Sequence, residues 1–300
     1  MATLKPFKYE RPESFAQLSR LLAENQENIP CFLAGGTDLL VAIRSGKENP
    51  NRVIDLKNLP DLEGIHNTQG GSLWVGALTP IHSLEISPLI KEKFTALSEG
   101  AENLGSLQVR NRGTIGGNLA NGAPTADTAA PLLALGAKIL TWSPAGERRI
   151  AVGDFWLGAG KTCLHASEII TGIEISEQNG CSSAYSKLGP RKAMDIAIVS
   201  VAVVLKLDDG LIREVKIALG GAGSTPLRSK KAEDFLTGRV NSLENICEAG
   251  KLAASDSSPR SSNRASREYR LDVIPVLVER TINDAIKRQE DLQRGKGGKK

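Results

Sequence analysis

Apolar residues Phe15, Leu18, Leu21 and Leu22 recur at helical spacing behind Pro12, and predict an amphipathic helix over 12–25. A short apolar run, 31–34, predicts a buried strand that leads directly into Ala34-Gly35-Gly36-Thr37-Asp38 and then Leu39, Leu40, Val41 and Ile43. Strand, glycine turn and helix start in that order present backbone N–H groups to an anion. Further strands are predicted over 52–56 and 72–78, and a single helix over 88–103. After a second glycine-rich segment comes an apolar helical run ending at Leu135, then strands over 137–142 and 168–175. Beyond Gly180 the texture changes. Two long β-rich runs, 196–207 and 211–219, flank the turn sequence Asp208-Asp209-Gly210. From Leu227 the pattern is mostly helical, with a Ser-rich loop over 255–262 and a last helix over 270–290. This shift predicts a domain boundary near 176–182, dividing the chain into 1–176, 177–288 and a disordered basic tail, 289–300.

Charge sharpens this division. The chain has 300 residues, 38 Lys+Arg and 34 Asp+Glu, a net +4. Its last fifteen residues hold six basic side chains (Lys287, Arg288, Arg294, Lys296, Lys299, Lys300) against Glu290 and Asp291, so the excess lies entirely there. The rest is balanced, which disfavours a nucleic-acid binder that needs a basic face. No apolar run approaches the ~18–20 residues needed to cross a bilayer, and residues 1–10 lack a signal-peptide core, so a cytoplasmic protein is expected. Cys31, Cys163, Cys181 and Cys247 are scattered, as are His66, His82 and His165. Neither a disulfide framework nor a metal cluster is indicated, and free thiols are expected.

The candidate chemistry lies in two glycine loops. Glycine lets a phosphate come close to the backbone and permits the positive φ of an anion-binding nest. Either pair alone, Gly35-Gly36 or Gly116-Gly117, is an ordinary turn. Together they carry more, because each has a hydroxyl (Thr37, Thr114) and a short polar side chain (Asp38, Asn118) within two residues. Two nests facing each other would grip a pyrophosphate from both sides. Neither loop is GxGxxG or GxxxxGK[ST], so Rossmann and P-loop readings find no support. An anion held without lysine or Mg²⁺ suits the diphosphate bridge of a dinucleotide.

Ala34-Gly35-Gly36-Thr37-Asp38-Leu39-Leu40, the block from Gln108 through Arg110-Asn111-Arg112-Gly113-Thr114-Ile115-Gly116-Gly117-Asn118 to Asn121, and Pro124-Thr125-Ala126-Asp127 resemble the FAD-binding subunit of molybdenum hydroxylases. That family includes the xanthine and carbon monoxide dehydrogenases. The resemblance continues through Lys187-Leu188-Gly189-Pro190-Arg191 to Asp195-Ile196-Ala197, and reaches Glu268-Tyr269-Arg270. It implies an α+β protein: an FAD domain of the vanillyl-alcohol-oxidase type, made of two α/β subdomains, then a smaller α+β domain with an antiparallel sheet and helices. By position it implies that Leu33, Ala34, Gly35, Gly36, Thr37 and Asp38, with Thr114, Ile115, Gly116, Gly117 and Asn118, bind the FAD pyrophosphate. Asp127 would hold the adenosine side, and Ile170 and Lys187 match positions that approach the cofactor. Read by itself, a lysine two residues from Tyr185 is a solvated strand residue. Ala77, Leu78 and Thr79 fall where relatives approach the flavin ring.

The resemblance further implies a molybdenum-cofactor large subunit and a small subunit with two [2Fe–2S] clusters, in a pair of heterotrimers. Electrons would pass through FAD to NAD⁺ or another acceptor. The chain lacks the cysteine-bearing insertion of the hydroxybenzoyl-CoA reductase branch, so FAD is expected to be its only redox centre, with no catalytic side chain of its own. Two other readings stay open: a stand-alone NADH-dependent flavin reductase, and a structural subunit without FAD.

Overall fold

The computed structural model describes residues 5–24, 29–191 and 193–297. Three parallel strands begin the fold, with Arg52–Asp55 between Lys8–Glu10 and Cys31–Leu33. Alternation along the central strand explains its helices. Ile54 packs with Leu18 and Leu22 of the helix Phe15–Glu24, whereas Val53, on the other face, packs with Ile43 of the helix Leu39–Arg44. A period of two thus buries both faces of a small sheet.

The second unit is a five-stranded antiparallel sheet in the order Ile65–Asn67, Leu73–Gly76, Ile169–Ile175, Lys138–Ser143, Gly146–Ala151. Short helices between Ile81 and Leu135 cover it, and with them it forms the largest core cluster. The helix expected over 88–103 is two, Pro88–Lys93 and Thr95–Glu102, separated at Phe94 (φ −136°, ψ 46°). Phe94 leaves helical geometry yet is buried in that core. Packing of one large aromatic overrides continuous helix periodicity here. The edge strand Gly146–Ala151, polar and largely exposed, was not foreseen, because one polar face and few apolar positions leave no alternation to read.

The third unit is a four-stranded antiparallel sheet, Ser182–Leu188, Val199–Asp208, Leu211–Gly220 and Leu227–Arg228, with helices Lys230–Leu236, Leu243–Ser255 and Arg267–Gly297. Its long apolar strands follow from burial on both sides. Tyr185, Ala202, Val204 and Ala218 join the core of the second unit, while Val199, Val201, Val203, Leu205, Ile217 and Leu219 pack under the C-terminal helices. The two α/β subdomains and the smaller antiparallel domain match the implied α+β architecture.

The tail departs from expectation. Residues 289–297 continue the last helix rather than fraying into a disordered segment, and 298–300 lie outside the described residues. Gln289 is buried and donates to the Gly180 carbonyl at 2.9 Å, and Gln293 donates to the Leu207 carbonyl at 3.1 Å. Amide side chains that close two backbone carbonyls, one in the turn before the strand Ser182–Leu188 and one in the strand Val199–Asp208, hold this turn of helix in place. Upstream, Arg288 pairs with Glu99 and donates to the Ser183 carbonyl at 2.7 Å, tying the helix to the second unit.

Candidate functional site

A cleft of about 870 Å³ opens between the first two units and the edge of the third. Its wall contains Ala34 through Asp38, with Thr114, Gly117, Asn118 and Asp127, so most of the expected cofactor contacts converge. Leu33, Ile115, Gly116, Ile170 and Lys187 lie behind that wall. Leu33 and Ile170 are buried apolar strand residues, and Ile115 is the buried first residue of the helix Ile115–Ala120. Ala77, Leu78 and Thr79 are also buried, and the Ala77 and Thr79 carbonyls meet the second loop.

The first loop leaves the C-terminal end of the strand Cys31–Leu33 and enters the helix Leu39–Arg44. Gly36 holds φ +79°, a left-handed conformation that glycine adopts without cost. The Asp38 side chain makes no cap bond to that helix. Independently of that cap, the N–H groups of Gly35, Gly36, Thr37 and Asp38 take no acceptor among the described residues. Four unpaired donors in a row beside a cleft form an anion cradle.

The second loop behaves differently from the expected second nest. Ile115 N–H donates to the Thr79 carbonyl at 3.1 Å, Gly116 to Ala77 at 2.8 Å, and Gly117 to Thr114 Oγ1 at 3.1 Å. Asn118 N–H donates back to the Thr114 carbonyl at 2.9 Å. The four donors from Ile115 to Asn118 are consumed in docking the segment against Ala77 and Thr79 and starting the helix Ile115–Ala120. What it offers the cleft is side-chain chemistry. Asn118 Oδ1 accepts from Thr128 Oγ1 at 2.6 Å, which orients an amide whose –NH₂ has no partner among the described residues. Thr114 Oγ1, an acceptor for Gly117, still has its own proton to donate. The glycines serve spacing: a Cβ at Gly116 would lie 2.8 Å from the Ala77 carbonyl oxygen, and one at Gly35 would overlap the Arg112 carbonyl.

Asp127 sits at the end of the cleft nearest the third unit, 6% exposed. Tyr185 Oη donates to its Oδ1 at 2.7 Å and Lys187 Nζ to its Oδ2 at 2.9 Å. Lys187 also meets Asp195 Oδ1 at 3.2 Å and the Asn103 carbonyl at 2.9 Å. Burial pushes the Asp127 carboxyl up, against the pull of Lys187 and Tyr185. Burial, together with the neighbouring Asp127 charge, raises the Tyr185 phenol well above its ordinary value. Lys187 is therefore not a solvated strand residue, since only 4% of its side chain is exposed. Tyr185 and Asp195 were missed in the sequence. The two-residue spacing of Tyr185 and Lys187 already places both on one strand face, but nothing local shows that a domain covers that face.

This architecture is shared widely. The family described as the FAD binding domain in molybdopterin dehydrogenase matches residues 5–177, and the CO dehydrogenase flavoprotein C-terminal domain matches 183–285. The chain is 34% identical over 280 residues to the xanthine dehydrogenase FAD-binding subunit of Escherichia coli O157:H7, covering 93% of this chain and 95% of that protein. A chain of the carbon monoxide dehydrogenase of Hydrogenophaga pseudoflava superposes with TM-score 0.90 at 30% identity, covering 95% and 99%. Quinoline 2-oxidoreductase of Pseudomonas putida 86 gives 0.89 at 28% identity, covering 96% and 99%. With two family models in tandem, end-to-end similarity and the glycine loops meeting at one cleft, the chain belongs to the FAD-binding subunits of the molybdopterin dehydrogenases.

Proposed function

We propose that this chain binds one FAD in the cleft and serves as the electron-transfer subunit of a molybdenum-dependent hydroxylase or dehydrogenase. Its partners are a molybdenum-cofactor large subunit and a small subunit with two [2Fe–2S] clusters, in a pair of heterotrimers, acting in the cytoplasm. Residues 1–176 form the FAD-binding domain and 177–288 the C-terminal domain. The observation that carries this reading is the row of unpaired N–H groups at Gly35–Asp38, facing the Thr114 hydroxyl and Asn118 amide.

The residues present fit the cofactor. Open backbone donors, neutral side-chain donors and no lysine on the loops suit a diphosphate that stays bound and is not transferred. The N–H groups of Gly35–Asp38 with the Thr114 and Asn118 side chains would hold that diphosphate, and Leu33, Ile115, Gly116 and Gly117 would shape the two loops behind them. Asp127, fixed by Tyr185 and Lys187, would accept from the adenosine side, with Ile170 packing behind. FAD, when bound, supplies the capacity to accept electrons singly and release them in pairs, to NAD⁺ or another acceptor. This chain's residues bind, orient and shield; none is asked to act as a general base or nucleophile. Relatives of similar identity act on xanthine, carbon monoxide and quinoline, so the substrate of the assembly is set elsewhere.

Purification of the native assembly with flavin, iron and molybdenum analysis tests the reading. One FAD per chain, with iron and molybdenum co-eluting, is expected. A lone flavoprotein free of both metals would refute the assembly and favour a stand-alone reductase. A chain that takes up no flavin would refute the cofactor.

A further inference from the structure

Lys57 lies outside both glycine loops and outside the cleft wall, yet its ammonium reaches the first loop. Its Nζ donates to the Ala34 carbonyl at 3.2 Å and pairs with Asp55 Oδ1 at 2.7 Å. Asp55 ends the central parallel strand and is 2% exposed. The Lys57 N–H also donates to its Oδ1 at 3.0 Å, and Tyr9 Oη donates to its Oδ2 at 2.5 Å. Burial would raise the Asp55 carboxyl, but these donors outweigh it and hold it lowered, so it stays ionised to anchor the lysine. Tyr9, Asp55 and Ala34 lie on or just beyond all three strands of the first sheet, and Lys57 joins them.

The consequence follows from peptide geometry. The Ala34–Gly35 peptide is trans and planar, so its carbonyl and its N–H point in opposite directions. Lys57 holds the carbonyl on the sheet side, which turns the Gly35 N–H away from it. That N–H is the first of the four without an acceptor. A cation on the carbonyl also polarises the amide and strengthens its N–H as a donor. We propose that Lys57, held by Asp55 and Tyr9, is a positioning residue for diphosphate binding: it aims and polarises the Gly35 N–H without touching the ligand. This rests on the FAD reading above.

The test uses the full-length chain in its native assembly, stripped of flavin, with affinities for FAD, ADP and riboflavin. Lys57→Met is expected to weaken FAD and ADP by about tenfold. Riboflavin, which has no diphosphate, should bind unchanged. Lys57→Arg should recover most of the loss, and Lys57→Met should flatten the dependence of FAD affinity on salt. Should Lys57→Met fail to fold because Asp55 loses its cation, the combined Lys57→Met and Asp55→Asn variant removes that charge and carries the same expectation. Unchanged FAD affinity would overturn the proposal. So would equal losses for FAD and riboflavin, which would mark a merely structural residue. Wild-type protein that takes up no FAD would overturn the underlying reading, and this proposal with it.

Discussion

Replacing Gly35 by alanine places a methyl group where the second loop already stands. An ideal Cβ there lies 2.7 Å from the Arg112 carbonyl carbon and 3.0 Å from Gly113 Cα, and closer still to the Arg112 oxygen. All three are backbone atoms, so no rotamer change relieves the clash. Carbon atoms need about 3.5 Å, so the two loops must part by about 1 Å. Overpacking of this kind costs about 1–3 kcal/mol of stability. The greater effect falls on binding. Hydrogen bonds to a charged ligand contribute about 1.5–3 kcal/mol each. Misaligning two of the four donors at Gly35–Asp38 thus costs about 3 kcal/mol, roughly a hundredfold in FAD affinity. Flavin content and fluorescence titration of the refilled protein measure the binding loss, and denaturant unfolding of the flavin-free protein measures the packing cost. Gly158→Ala is the control, because a Cβ there meets nothing within 4 Å. Gly35→Ala protein that binds FAD within threefold of wild type would refute the close approach of the two loops as the basis of the site.

Three further outcomes follow from buried polar groups. Burial would raise the Glu168 carboxyl, but Arg148, Thr141 and the His165 N–H outweigh it and hold it at about 2. A lowered value stabilises the fold above the ordinary carboxylate range, and that stability is lost as pH falls from about 5 towards 2. Glu168→Gln should therefore cost about 2 kcal/mol at pH 7, a figure discounted because Arg148 is partly solvated, and should flatten the acid limb of the unfolding curve. Lys187→Met leaves the Asp127 and Asp195 carboxylates facing each other in the interior, at a cost of about 3–5 kcal/mol. Because burial already raises Asp127, protonation should relieve the defect, so the deficit in urea unfolding should shrink between pH 7 and 5. An unchanged or growing deficit would count against an ionised Asp127. Truncation after Arg288 removes the Gln289 and Gln293 bonds to the Gly180 and Leu207 carbonyls, and should lower stability by about 2 kcal/mol. A melting temperature unaffected by that truncation would return the segment to the status of a loose tail.

Much of this molecule could be read along the chain. Periodicity located the helix Phe15–Glu24 and the long strands Val199–Asp208 and Leu211–Gly220, because one-dimensional spacing records which faces are buried. The glycine pairs marked both loops, since Gly35 and Gly116 leave no room for a side chain and Gly36 holds a left-handed backbone. Other features depend on who the neighbour is. Phe94 breaks a helix to fill a core assembled from distant segments, and Gln289 orders a basic helix end by meeting a carbonyl 109 residues away. Tyr185 and Lys187 look like surface residues until the third sheet is laid against the second unit, where they lock Asp127. The second loop reads as a nest, but the N–H groups from Ile115 to Asn118 are spent on Ala77, Thr79 and Thr114, leaving a hydroxyl and an amide to face the cleft. The sequence by itself determined the family, the layers of the fold and the segments that form the site. Only the tertiary structure decided which donors remain free, because a hydrogen bond made to a residue far along the chain leaves no mark in local spacing.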